Sequence, residues 1–167
     1  PDPEIRATLV LGLARAAGLG GMVGGQRLDL AAEGRNGEAA LDLEQERRLQ
    51  AMKTGALLAF SAEAGAILGR AEPGQREALK RFGTALGAAF QVADDILDRE
   101  ATAESLGKRT GKDRDRGKAT LVDLLGLDAA RAECRRLVEE AHRSLLDFGP
   151  EADILRDAAR FAAERRV

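Results

Sequence analysis

The sequence predicts an all-α fold, an antiparallel helical bundle. Apolar residues recur three and four apart through every long segment, no stretch sustains strand-like alternation, and glycine or proline clusters punctuate the chain at helix-length intervals. With 167 residues, 44% of them apolar, the chain can bury one core of ordinary domain size, so residues 1–167 read as a single helical region. No internal repeat, low-complexity tail or linker interrupts it.

Taken in order, a first helix carries Ile5, Leu9, Gly12, Leu13 and Ala16 on one face and ends in the glycine-rich stretch GLGGMVGG. A second, short helix runs on to Glu33, where the Gly34-Arg35-Asn36-Gly37 cluster breaks the pattern by turn chemistry. A long helix from Asp42 to Gly69 turns Leu49, Met52, Ala56, Phe60 and Ile67 inward and closes at Glu72-Pro73-Gly74. The next runs from Gln75 to about Arg99, with Leu79, Phe82, Leu86, Phe90, Ala93 and Leu97 inside. Residues 100–118 are glycine-rich, charged and aperiodic, which predicts a loop with at most one helical turn. Leu124 and Leu125 lead into a helix with Ala130, Cys134, Leu137, Ala141 and Leu145 inside. After Gly149-Pro150, a last helix carries Ile154, Leu155, Ala158 and Ala162. Roughly six helices of this kind suit antiparallel packing.

Composition excludes several function classes. Lys and Arg total 26 against 28 Asp and Glu, so no global charge recruits nucleic acid or an anionic membrane. Five Phe, with no Trp or Tyr, leave too few aromatic faces to stack bases. The single cysteine, Cys134, forms no internal disulfide, and the single histidine, His142, builds no zinc site with it, so both read as packing residues. No signal peptide or transmembrane segment is expected: the longest low-polarity stretch, Ala7 to Gly25, holds Arg15 near its middle and five glycines in its second half. The expected location is cytoplasmic. The chain begins Pro1-Asp2-Pro3 and runs at once into a periodic segment, which reads as the middle of something longer.

Three features carry chemistry. In FQVADDILD, residues 90–98, Asp94 and Asp98 stand one helical turn apart on one face, and Asp95 lies about 100° round the helix. Like charges about 6 Å apart repel by about 3 kcal/mol at an effective dielectric of 20, and the C-terminal end of a helix disfavours anions further. A cation should offset this. Magnesium takes oxygen ligands and bridges carboxylates to phosphates, whereas the bland alternative is a solvated acidic helix end. Gln91 sits on the same line as Gly87, Asp94 and Asp98, in an otherwise small and apolar run where its carboxamide needs a partner.

The second feature is the loop LGKRTGKDRDRGKAT, residues 106–120, whose glycines allow close backbone approach to an anion and whose Lys108 and Lys118 supply point charges. It is not a P-loop, because Gly111 to Gly117 spans one residue too many, Ala119 replaces Ser or Thr, and no strand precedes it. Alone, such a run is a solvated loop; beside an aspartate cluster it becomes a second wall around a diphosphate. The third is Lys53 on the inner stripe Leu49, Lys53, Ala56, Phe60, where an ammonium either snorkels to an edge or meets an anion in a cavity. Gln26 and Asp29 share a face after Gly21, Gly24 and Gly25, which permit close helix packing.

These pieces, in this order, resemble the trans-prenyl diphosphate synthases, the bacterial farnesyl type most of all. GMVGGQRLDL at 21–30, KTGALL at 53–58, FQVADDILD at 90–98, and LGK followed by GKAT within 106–120 carry the resemblance, which covers essentially the whole chain. It implies an all-α prenyltransferase fold, commonly a homodimer in the complete enzyme, that joins an allylic diphosphate to isopentenyl diphosphate and releases pyrophosphate. Carried over by motif, Asp94, Asp95 and Asp98 would hold Mg2+ on the allylic diphosphate. Lys53, Lys108 and Lys118 would contact that diphosphate, with Thr54 and Gln91 nearby. Phe90 would line the hydrocarbon pocket, and Gln26 and Asp29 would face the cavity.

The sequence also departs from that pattern. The family's first aspartate-rich motif, on a facing helix, and its basic residues for isopentenyl diphosphate have no counterpart in these 167 residues. The expectation is a C-terminal portion that is inactive alone. Two alternatives stay open: a non-catalytic subunit of a heteromeric synthase, and part of a class I terpene cyclase. The paired lysine loop and the FQ before DDILD favour elongation over cyclisation.

Overall fold

The structure, a computed structural model, describes residues 2–33, 41–106 and 120–165. Among them it is helical throughout: α1 Pro3–Ala17, α2 Met22–Glu33, α3 Leu43–Gln50, α4 Ala56–Leu68, α5 Pro73–Leu106, α6 Leu121–Leu125, α7 Leu127–Ser144 and α8 Asp153–Glu164. A π-helical turn, Ala51–Gly55, joins α3 to α4 without a break, and a 3-10 turn, Pro150–Ala152, leads into α8. The turn cluster expected at 34–37 lies outside the described residues.

Local chemistry sets the ends. Asp42 and Gln45 form a reciprocal capping box that starts α3. Helix α4 ends in a Schellman arrangement: Ala71 N–H donates to Ala66 O at 2.9 Å and Arg70 N–H to Ile67 O at 3.2 Å, with Arg70 at φ 53 in the left-handed position. Pro73 then opens α5, where its missing N–H is harmless, instead of closing the preceding helix. Helix α5 continues through residues 100–106, which corrects the expected start of the loop. Between α6 and α7, Gly126 at φ 83 makes the bend that a side chain would strain.

Helix α5 is the spine. One buried cluster joins its Ala89, Val92 and Ala93 to Leu121, Val122, Ala130, Cys134 and Leu137; a second joins its Phe82 and Ala85 to Ala141, Leu145 and Ala159. The four inward positions expected on α7 and Leu145, its C-cap, are all buried. Other expectations are corrected. Leu13 is 51% exposed, because α1 packs on α4 and shows its other sides outward. Ile154, at 73%, and Ala158 face outward, while the expected Ala162 is buried and Ala159 joins it against α5 and α7. Cys134 Sγ lies 3.7 Å from Ala89 O, and His142 Nε2–H donates to Arg156 O at 3.0 Å, so both residues serve packing. By length and mean hydropathy alone, the helical stretches Pro3–Ala32 and Leu43–Leu68 could cross a bilayer, which qualifies the expectation of no membrane segment.

Two glycines decide how the π turn is seated. A Cβ on Gly25 of α2 would lie 2.3 Å from Lys53 N, and one on Gly87 of α5 would lie 2.9 Å from Gly55 Cα. Both approaches are backbone to backbone, where no side chain can move aside. Gly25→Ala should therefore destabilise by about 1–3 kcal/mol through overpacking. Gly65→Ala, with open space at its Cβ in the C-terminal half of α4, should stabilise by about 0.5–1 kcal/mol. Urea midpoints of the two variants check this; equal midpoints would remove the packing constraint.

Candidate functional site

The π turn is where three helices meet. Inserting one wider turn between α3 and α4 shifts the angular register of everything before it, a device frequent at functional sites. Here it carries Lys53 and Thr54, packs against α2 on one side and α5 on the other, and places Gln50 of α3 beside the aspartates of α5.

Lys53 does not snorkel to an outer edge. Its Nζ lies 2.5 Å from Asp29 Oδ2, in an ion pair between a partly exposed ammonium and a carboxylate that is 4% exposed. Lys53 and Asp29, singled out separately from sequence, are thus one unit. Gln26, on the same helix, is exposed, and Thr54 and Gln91 are half-buried.

The three aspartates of α5 have three different environments. Asp94 forms an ion pair with Arg165, the residue that caps α8, and the Arg165 guanidinium also stacks over the Phe90 ring, 3.7 Å from its centroid. Asp95 turns inward, about 100° round the helix from Asp94. Its Oδ2 accepts from Gln50 Nε2–H at 3.0 Å and from Leu121 N–H, at the first turn of α6, at 3.1 Å. Asp98 lies on the exposed side. Burial raises the Asp95 pKa above its ordinary value, and the neighbouring Asp94 and Asp98 add to that, while the Leu121 and Gln50 donors pull it down. Lys108 and Lys118 lie outside the described residues.

Sequence reasoning misses Glu46, Gln50 and Arg165. Glu46 and Gln50 sit in the polar run LEQERRLQ, which has the composition of a solvated helix, yet both are buried. Arg165 lies 71 residues from Asp94 and has no local signature. Glu46 is 3% exposed, its Oε1 accepts from Gln50 Nε2–H at 3.2 Å, and its Oε2 meets no partner among the described residues. Burial and the charge of Asp95 raise its pKa; Gln50 and Lys53 oppose the rise. Glu46 is therefore within electrostatic reach of both Asp95 and Lys53, which ties the ammonium of the π turn to the carboxylates of α5.

Taken together, the site offers hard oxygen donors on one helix, an ammonium on the neighbouring turn, and a guanidinium occupying one carboxylate. Among the described residues no three acidic, His or Cys side chains converge as a ready cation cage. The donor set is nonetheless the one a magnesium ion takes, and Arg165 shows that the Asp94 position attracts positive charge.

The sequence profile of the polyprenyl synthetase family matches residues 10–149. The chain belongs to the polyprenyl synthetase family. Among its members, farnesyl diphosphate synthase of Escherichia coli is 42% identical over 156 residues, covering 90% of this chain and 50% of that protein. The Geobacillus stearothermophilus farnesyl diphosphate synthase is 41% identical over 143 residues, 86% of this chain and 47% of its own length. Among solved structures, an FPP/GFPP synthase from Zymomonas mobilis superposes with a TM-score of 0.84 at 45% identity, over 96% of this chain and 52% of that one. The all-α fold is thus that of the family's synthases. The chain spans about half the length of these relatives.

Because the folded-state pKa of Glu46 stands above its ordinary value of 4.5, the native state holds this proton more tightly than the unfolded chain does. Its contribution to stability is full below that value and declines as pH rises through the folded pKa. Glu46→Gln removes the titration, so the variant should melt higher than the parent at pH 7, with the gap closing as the pH falls below 4.5. Melting curves across that range check this, and a gap that widens toward acid would contradict it.

Proposed function

We propose that this chain supplies the allylic-diphosphate half of a prenyltransferase active site, in an enzyme that joins an allylic diphosphate to isopentenyl diphosphate and releases pyrophosphate. The observation that carries the reading is the junction of the π turn with α2 and α5: Lys53 pairs with Asp29 of α2, and Gln50, just before the turn, donates to Asp95 of α5. Family membership and the names of the relatives, which include farnesyl, geranylgeranyl and geranylfarnesyl diphosphate synthases, support a short-chain product, with farnesyl diphosphate favoured by the two bacterial relatives.

Ionising an allylic diphosphate leaves negative charge on the departing pyrophosphate, and groups already aimed at that charge lower the barrier most. Lys53, held by Asp29 and by the backbone contacts of the π turn, would meet one phosphate without reorganising. Lys108 and Lys118 would act likewise from the following loop. Asp94, Asp95 and Asp98 would hold Mg2+, which when bound supplies Lewis-acid neutralisation of the leaving pyrophosphate. Thr54 and Gln91 would orient the diphosphate, and Gln26 would stand at the rim of the same cavity. Phe90, with the small residues before it on α5, would give the hydrocarbon chain and its carbocation a water-poor wall. Arg165 would have to leave Asp94 for a cation to take its place.

The complete enzyme is proposed as a cytoplasmic homodimer completed by the portion of its relatives that this chain does not span, with the present chain alone inactive. In that completed enzyme, Asp94→Ala should lower kcat about 10²–10³-fold, the scale of losing one preorganised electrostatic group. Lys53→Ala should do the same while leaving helix content intact. Isopentenyl diphosphate incorporation with circular dichroism on the same samples checks both. Unchanged kinetics in both variants, or steady condensation by the 167-residue chain alone, would overturn the proposal.

A further inference from the structure

Among the described residues, Asp95 is held on one oxygen only. Its Oδ2 takes both the Gln50 and the Leu121 N–H bonds, and no donor among the described residues meets Oδ1, so these two donors set the plane in which that second oxygen is presented. The Leu121 donor is backbone and fixed by the Thr120 capping box. The Gln50 donor is a carboxamide, whose terminal torsion is soft and whose two ends differ: turned over, it would set Oε1 against the Asp95 carboxylate. Packing does not prevent that turn, because Gln50 borders a cavity of about 340 Å³ together with Val92 and Leu121.

What does prevent it is Glu46. The same Nε2 that reaches Asp95 gives its other hydrogen to Glu46 Oε1, one helical turn back on α3. Two acceptors on either side of one NH2 group select the donor end. A carboxyl group is an expensive way to fill a site that is 3% exposed with one oxygen unpartnered, since burial of an unmet polar atom costs about 1–3 kcal/mol. A leucine would fill the site without that penalty.

We propose that Glu46 is a positioning residue, acting through Gln50 to fix the orientation in which Asp95 meets a divalent cation. The inference rests on the cation-binding role proposed for the α5 aspartates. It separates function from stability, because the same substitution should move them in opposite directions. Glu46→Leu removes the acceptor and the buried carboxyl together, so it should raise the melting temperature and weaken cation binding 10–100-fold, the usual range when a residue behind a metal ligand is lost. Glu46→Gln keeps an acceptor for Gln50 and should bind the cation as the parent does.

The test is Mn2+ binding to the purified chain in the presence of inorganic pyrophosphate, read from the free-ion electron paramagnetic resonance signal, with melting curves on the same samples. Weakened binding in Glu46→Leu, together with rescue in Glu46→Gln, is the expected pattern. Parent-like affinity in Glu46→Leu, while Asp94→Ala and Asp98→Ala both weaken binding, would overturn the positioning role alone. A parent chain that binds no Mn2+, or one whose affinity survives both aspartate substitutions, would overturn the cation site and this inference with it. Should Glu46→Leu not fold, Gln50→Leu takes its place with the same expected loss.

Discussion

The close backbone approach of two helices to residues 51–55 is the constraint from which the rest of the site follows. Gly25 of α2 meets Lys53 N, and Gly87 of α5 meets Gly55 Cα, at separations where a methyl group would overlap backbone. With the π turn clamped on both sides, the register of α3 relative to α4 is no longer free. Lys53 is directed to Asp29, Gln50 is directed to Asp95, and the polar side of α3 is drawn into the interior that its composition would keep it out of. A looser contact would let the turn relax to an ordinary α-helix, and the ammonium and carboxamide would rotate apart.

The electrostatics then explain themselves by compensation. Three carboxylates within five residues of α5, plus Glu46, make a dense negative cluster that the structure offsets piecemeal. Arg165 sits on Asp94, two N–H donors hold Asp95, and Lys53 neutralises Asp29 close by. Each carboxylate–carboxylate repulsion is worth about 3 kcal/mol at an effective dielectric of 20, so a cluster left with only part of its compensation is under tension. Arg165, the C-cap of α8, holds its place by the ion pair with Asp94 and by stacking on Phe90.

Much of this is legible in the sequence, and the illegible part has physical reasons. Period alone places α5 and α7 and the fully buried residues of α7, because these helices bury a continuous stripe. The aspartates, Lys53 and Asp29 stand out because charges on small or apolar faces need partners. The π turn leaves no trace in AMKTG, whose composition suits an α-helix equally well, and it is this turn that sends Glu46 and Gln50 inward. Arg165 meets Asp94 only through the tertiary packing of α8 across α5, which no local pattern encodes. Ile154 and Leu13 face outward although apolar; each lies on a helix that packs along one side only.

We propose that groups from α2, the π turn and α5 together take one diphosphate. The most direct measurement is anomalous diffraction from crystals of the completed enzyme grown with Mn2+ and pyrophosphate. The account predicts an anomalous peak at the carboxylates of Asp94, Asp95 and Asp98, Arg165 displaced from Asp94, and a pyrophosphate oxygen within hydrogen-bond distance of Lys53 Nζ. Pyrophosphate bound away from Lys53, with no metal on the α5 aspartates, would contradict it.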